Sequence, residues 1–264
     1  MDLGIRGKVA IVLAASKGLG RACAAALAAE GVNLVIGARN QQVLEEAARQ
    51  IERTTGSKVL AVPTDVTKAE ELVRIADNAL REFGHIDILV NNAGGPPAGN
   101  FEAFSDEQWQ AAFELNLLSA VRMIRLVLPS MRAQGSGRII NIVSTSVKQP
   151  IDNLLLSNSI RPGIIGLAKS LSLELAPANI TINNVCPGRI LTDRIRQLER
   201  IDEKVQQGMS EEEILQKSAQ GIPMRRLGKP EEVGALVAFL ASQQAAYITG
   251  TTIQVDGGQT RSIL

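Results

Sequence analysis

The sequence predicts a single-domain, doubly wound α/β fold, a seven-stranded parallel sheet with helices on both faces. Three observations carry that prediction. Short apolar, β-branched runs alternate with helical patterns along the whole chain, which is how a parallel sheet is built. These runs lack polar alternation, as strands covered on both faces should. The chain is 264 residues long, 45% hydrophobic and 21% charged, which describes one globular domain over residues 1–264 with a large core and no repeat or disordered tract.

The candidate strands, in order, are VAIVLAA from Val9, VNLVIGA from Val32, KVLAVP from Lys58, IDILVNN from Ile86, RIINIVS from Arg138, ITINNVC from Ile180 and TTIQV from Thr251. The intervening helices carry their own start signals. Ser105 precedes DEQWQAAF as an N-cap, Ser210 and Glu213 make a capping box, and Pro230 opens PEEVGALVAFLA in the first turn. One segment departs from the alternation: residues 194–227, charged and helical in pattern, lie between the sixth strand and the last helix. They read either as a substrate lid or as a solvated pair of surface helices.

A net charge of +1 without a basic stripe gives no electrostatic reason to expect nucleic acid or an anionic membrane as partner. No apolar run is long enough to span a bilayer and no signal-peptide pattern opens the chain, so the expected location is cytoplasmic. Cys23 and Cys186 offer neither a disulfide framework nor metal-ligand spacing, and no metal is expected. The single histidine, His85 in GHIDILV, reads as a turn or surface residue, and a Ser-His-Asp triad would have to use it.

The run VLAASKGLGRACAAALA joins the first strand to the first helix. Gly18 and Gly20 fall where backbone must approach a ligand at a helix N-terminus, a turn suited to pyrophosphate. An NAD site generally wants an acid at the end of the second strand, but that strand ends GARN. It offers Arg39, which together with Lys17 can clamp a 2′-phosphate by charge-assisted hydrogen bonds. The expected cofactor is therefore NADP rather than NAD, unless these are two solvated surface cations.

Over essentially its whole length the chain resembles the short-chain dehydrogenase/reductase superfamily, close to the 3-oxoacyl-carrier-protein reductase branch. The family's TGxxxGxG loop corresponds to Leu13, Ala14, Gly18 and Gly20, and its NNAG motif to Asn91, Asn92, Ala93 and Gly94. Its PG turn is Pro187 and Gly188, with Thr192 where the nicotinamide carboxamide is usually met, and YITGTTIQVDGG resembles its C-terminal strand and turn. The resemblance implies a Rossmann fold with strand order 3-2-1-4-5-6-7. It also implies a cofactor-binding set of Ala14, Ser16, Lys17, Gly18, Leu19, Gly20, Arg39, Asp65, Val66, Asn92, Ala93, Gly94, Arg161, Pro187, Gly188, Ile190 and Thr192. Asp65 matches the family's adenine contact but fits equally a turn or N-cap aspartate ahead of a helix near Lys68. Ala14 stands where the family has glycine, and its methyl is tolerable if φ stays negative.

Carbonyl reduction needs a hydride and a proton donor within reach of the forming alkoxide. The family supplies the proton from a Tyr assisted by a Lys one helical turn later, and completes a tetrad with Asn and Ser. Asn116 in FELNLLSA and Ser144 in IINIVSTS match the last two, 28 residues apart as in the family. Thirteen residues beyond Ser144, however, stands Ser157, and four further on Arg161. The run GIIGLAKSLSLELAP reproduces the family's following helix, so the register does not slide, and Tyr247, the only tyrosine, matches a structural residue of the late signature.

The catalytic set implied is therefore Asn116, Ser144, Ser157 and Arg161, with Ser157 and Arg161 on one face of a helix that runs to Leu175. Serine is a poorer proton donor than a phenol, which leaves water, Lys148 or Asp152 to deliver the proton. Arg161 remains cationic and can hydrogen-bond the nicotinamide ribose or polarise the carbonyl, while its fork equally suits a carboxylate or phosphate. Two functions stay open. One is an NADP(H)-dependent oxidoreductase acting on a carbonyl/alcohol pair, with an anionic small-molecule substrate held by Arg161. The other is a catalytically silent nucleotide- or small-molecule-binding protein acting as sensor or partner subunit. The resemblance also implies a homodimer or homotetramer.

Overall fold

The structure, a computed structural model, describes residues 2–263. Seven parallel strands, β1 (Val9–Leu13), β2 (Asn33–Ala38), β3 (Val59–Pro63), β4 (Ile88–Asn91), β5 (Gly137–Ile142), β6 (Ile180–Pro187) and β7 (Thr252–Val255), form one sheet in the order β3-β2-β1-β4-β5-β6-β7. The order is the one the resemblance implies. Along β1, Ala10 and Val12 enter one core layer while Ile11 and Leu13 enter the other, and all are buried. This two-sided burial is why the strand sequences read as unbroken apolar runs. Each large aliphatic side chain so enclosed contributes about 1.5–3 kcal/mol.

One face is covered by α1 (Gly18–Ala29), α2 (Gln41–Thr55) and α11 (Pro230–Ala241), the other by α3 (Ala69–Phe83), α5 (Ser119–Gln134) and α7 (Pro162–Leu175). The caps follow local chemistry. Asn40 accepts from the Val43 N–H at the start of α2, and Ser105 with Gln108 closes a capping box on α4 (Asp106–Phe113). Ser210 and Glu213 do the same for α10 (Glu211–Ala219). Residues 194–227 hold α8 (Asp193–Leu198), α9 (Ile201–Gln206) and α10, three short helices rather than a pair.

The helix expected to run from Ser157 to Leu175 is divided into α6 (Leu155–Ile160) and α7, with Arg161 at the joint. Pro162 is the cause. It lacks an N–H, its ring crowds the preceding turn, and it serves instead as the first residue of α7. The Arg161 N–H still reaches the Ser157 carbonyl at 3.2 Å, so the two residues remain one turn apart.

Three asparagines share adjacent registers across the middle of the sheet, Asn91 opposite Asn141 and Asn141 opposite Asn184. The Asn91 Nδ2 donates to Asn141 Oδ1 at 2.9 Å, and the Asn141 Nδ2 to Asn184 Oδ1 at 3.0 Å. The Asn184 Nδ2 then reaches the Thr251 carbonyl and the Thr252 hydroxyl at the sheet edge. Among the described residues, no helix is long and apolar enough to cross a membrane.

Candidate active site

Parallel strands deliver their C-terminal ends to one edge of the sheet, and the crevice there is where such folds bind ligands. The loop from β1 to α1 opens on it. Ala14 takes φ +48°, the left-handed region, contrary to the negative φ its methyl would prefer. The turn is that tight because its carbonyl passes close beside α1. A Cβ on Gly20 would lie 2.2 Å from the Ala14 oxygen. Asn92 braces the turn from β4, its Nδ2 donating to the carbonyls of Leu13 at 3.3 Å and Ala14 at 3.5 Å.

Helix α1 begins after Lys17 with no side-chain cap, leaving its first N–H groups to face the crevice beside Ser16 and Gly18. Leu19 turns away and packs against the core. Lys17 forms an ion pair with Asp193 on α8 rather than standing free. Arg39, just past β2, is exposed and makes no ion pair among the described residues. Asp65 accepts from the Thr67 N–H at 3.0 Å and hydroxyl at 2.8 Å, closing a turn ahead of α3, whose N-cap position is Lys68. Burial opposes its ionisation, but those bonds and the Arg39 charge hold the carboxyl below the ordinary range. Val66 is buried behind it.

On the other side of the crevice, Ala93 packs on the core and Gly94 is exposed, with nothing within 4 Å of where a Cβ would stand. Pro187 ends β6. Gly188 donates to the Val255 carbonyl at 3.0 Å, where a Cβ would lie 2.6 Å from that of Asp256. Ile190 is buried and bridges Gly228, and Thr192 lies over Gly18.

Beneath these loops lies a small cavity of mixed lining, in which Asn91, Asn92, Asn116, Asn141 and Arg161 stand among apolar side chains such as Leu13, Ile142 and Ile164. Asn116 sits on a π-helical turn (Glu114–Leu118) between α4 and α5; the widened turn alters the run of backbone bonds at that point. Its Nδ2 donates to the Ala112 carbonyl at 3.3 Å, while its Oδ1 is buried without a partner. Asn91 Oδ1 and Arg161 Nε are also buried and unpartnered, so two acceptors and one donor remain open among the residues lining one cavity.

Ser144 caps the 3-10 turn Thr145–Val147, its Oγ accepting from the Ser146 N–H at 3.1 Å. Ser157 is 6% exposed and its Oγ lies 3.0 Å from the Oγ of Ser146. Arg161 is equally buried, and its Nη1 donates to the carbonyls of Ile142 at 3.4 Å and Val143 at 2.9 Å. One nitrogen of the guanidinium therefore holds the end of β5, while its Nε is left without a partner. Burial pushes it down to about 10, Arg194 pushes the same way, and Cys186 partly offsets them.

The other candidates separate cleanly. Lys148 is half-buried and its charge reaches Cys186, behind Ser144, whereas Asp152 is exposed. His85 pairs with the buried Asp87 near the start of β4, remote from the crevice, and Tyr247 is fully exposed.

Sheet order, two-sided helix cover and a glycine-rich first turn define a Rossmann-type α/β domain. A family model described as enoyl-(acyl carrier protein) reductase matches residues 13–260. The chain is 37% identical over 255 residues to dehydrogenase/reductase SDR family member 4 of Oryctolagus cuniculus, covering 96% of this chain and 94% of that one. It is 34% identical over 258 residues to the NADPH-dependent reductase BacG of Bacillus subtilis, covering 97% and 99%. The crystal structure of L-sorbose reductase from Gluconobacter frateurii, complexed with NADPH and L-sorbose, superposes with a TM-score of 0.95 at 35% identity over the full length of both chains. The chain belongs to the short-chain dehydrogenase/reductase family.

Sequence reasoning passed over Ser146, Asp193 and Arg194. Ser146 stands two residues from Ser144 in STS, a proximity that offered a signal. Asp193 and Arg194 lie far along the chain from the loops they touch, and no local pattern marks them.

Proposed function

We propose that this protein is an NADP(H)-dependent oxidoreductase acting on a carbonyl/alcohol pair through a non-standard proton donor. The observation that carries the reading is the cavity in which Asn116 Oδ1 and Arg161 Nε stand buried and unpartnered directly below the glycine-rich turn. The surrounding residues fit the cofactor: an uncapped α1, open space over Gly94, and an exposed Arg39 with no acid on β2. Ser16, Gly18, Leu19 and Gly20 would hold the pyrophosphate, Lys17 and Arg39 the 2′-phosphate, Asp65 and Val66 the adenine side. Asn92, Ala93, Gly94, Pro187, Gly188, Ile190 and Thr192 would flank the nicotinamide half. Bound there, NADPH supplies the hydride.

The chain's own residues supply the rest. Ser144 donates to the substrate oxygen and orients it. Arg161, tied to β5, keeps a positive charge beneath the oxygen as negative charge develops. Ser157 does not ionise, and its hydroxyl instead holds Ser146. Lys148 is the better-placed loop group for returning a proton to the oxygen, since Asp152 is exposed. Residues 194–227 act as the lid, and exposed Leu173 on α7 fits packing against a second copy in a cytoplasmic homo-oligomer.

The test is NADPH consumption by purified protein over a panel of ketones and oxo acids, with calorimetry against NADPH and NADH. Turnover with at least one carbonyl and binding of NADPH about tenfold or more tighter than NADH are expected. No turnover across the panel counts against catalysis.

The bonds that occupy Ser157 and Arg161 favour a second reading, a nucleotide-binding family member without catalysis. Exchanging Ser157→Tyr and Arg161→Lys together separates the two. A silent cleft gains reductase activity, whereas a specialised enzyme loses its own.

A further inference from the structure

We propose that Arg194 is the residue that recognises an anionic group, a carboxylate or phosphate, on the substrate. The inference rests on the oxidoreductase reading and moves anion recognition from Arg161 to the lid. Arg194 stands on α8, yet its Nη2 donates to the Pro96 carbonyl at 2.7 Å, across the crevice in the loop that follows β4. It lies so close over Gly95 that a Cβ there would sit 3.1 Å from Nη2 and 3.2 Å from Nε. The guanidinium therefore bridges lid and β4 loop at the mouth of the crevice.

Among the described residues its charge has no ion-pair partner. The other arginines of the lid region are matched: Arg189 with Glu199, Arg196 with Asp202 and Glu211, Arg200 with Glu203, Arg226 with Glu232. Arg225 has no acid either, but it is exposed and donates to the Gln220 carbonyl. Arg194 alone among these is half-buried with a neutral carbonyl as its hydrogen-bond partner. Taking a cation out of water without an opposing charge is costly, and a planar five-donor fork is the group best shaped to recover that cost from a carboxylate or phosphate.

A second observation agrees. Burial holds Arg194 below its ordinary pKa, and its charge in turn depresses Arg161, so two positive groups converge on one crevice that holds no acid of its own lining the cavity. An anionic substrate relieves both. Arg161 lies buried at the floor with its Nη1 tied to β5 carbonyls, which makes Arg194, at the mouth, the fork that first meets an entering anion.

The experiment uses the NADPH-loaded protein and matched probes: 4-oxopentanoate against its methyl ester, and dihydroxyacetone phosphate against dihydroxyacetone. Each is titrated by calorimetry and assayed for turnover. Wild type binds the anionic member of at least one pair about tenfold more tightly, the effect of one charge-assisted hydrogen bond. Arg194→Gln brings that ratio near unity, Arg194→Lys leaves an intermediate ratio, and Arg225→Gln keeps the wild-type value. Equal binding of both members in every pair, or binding of none, overturns the proposal. So does a loss of NADPH affinity in Arg194→Gln that matches the loss for the anion, which would assign the fork to the cofactor. The calorimetric ratio is independent of turnover: an anion preference without reduction sinks the oxidoreductase reading alone, and reduction without anion preference sinks this one alone.

Discussion

Gly20→Ala sets two effects of opposite sign against each other. Gly20 is the third residue of α1, where helix propensity alone favours alanine by about 1 kcal/mol. The surroundings reverse that sign. The new Cβ would lie 2.2 Å from the Ala14 oxygen, 2.7 Å from its carbonyl carbon and 2.8 Å from Asn92 Nδ2. Two of these atoms are backbone of a turn already at φ +48°, and the third is the amide that braces the same turn. None can swing aside as the end of a flexible chain would. Restoring ordinary contact at roughly 3.5 Å requires α1 to retreat from the loop by about 1 Å.

Overpacking costs about 1–3 kcal/mol, and a backbone-lined clash belongs at the upper end. After the propensity gain, about 2 kcal/mol of destabilisation remains. At roughly 2–4 °C per kcal/mol for a chain of this size, Tm should fall by about 4–8 °C. The same shift displaces the N–H groups of the first turn, so NADPH affinity should fall at least about tenfold. Thermal unfolding and calorimetry read the two effects separately. A Tm equal to or above wild type would refute the reasoning, since propensity would then have outweighed the clash.

Ala14→Gly acts on the other half of the turn: the left-handed conformation costs alanine roughly 1–2 kcal/mol, of which glycine's unfolded-state entropy returns about 0.5–1. A Tm rise of about 1–3 °C is expected, and a fall would contradict the strain. Asp193→Asn releases Lys17 from its exposed ion pair, so NADPH should bind a few-fold more tightly at low salt and equally at about 1 M salt, where screening removes the difference; unchanged low-salt affinity would remove Lys17 from the phosphate site. Burial pushes the Cys23 thiol up to about 12 and that of Cys186 up to about 11 from 9.0, so neither should react with a disulfide reagent at pH 8 until the chain unfolds. Because the unfolded thiols ionise first, stability should decline as pH rises from 9.0 toward about 11, visible in Tm measured against pH.

The strands were legible because two-sided burial leaves an unmistakable trace: the alternate residues Ala10 and Val12, Ile11 and Leu13 are apolar for the same reason, facing different layers. Caps at Ser105 and Ser210 were legible because their chemistry is local. Pro162 carried its own signal, but the likeness of the downstream helix hid it. For the candidate site the sequence offers residue types but no directions. Nothing in the order of residues says that Arg161 turns its fork to Ile142 and Val143, or that Ala14 takes a positive φ. Those outcomes depend on which carbonyls the packed sheet end leaves free. Lys17 and Asp193 meet only because α8 comes back against the first turn, 176 residues along.

The asparagine row across β4, β5 and β6 has a polarity set at its far end. The Thr251 carbonyl can only accept, so Asn184 must point its Nδ2 outward and its Oδ1 inward. Asn141 and then Asn91 are forced into the same sense, and the last member is left with Oδ1 unpartnered beside the cavity it lines. The sheet edge thus dictates, three strands away, that the unpartnered atom Asn91 keeps beside the cavity is an oxygen lone pair. Any group that settles against Asn91 has to arrive carrying a hydrogen to give.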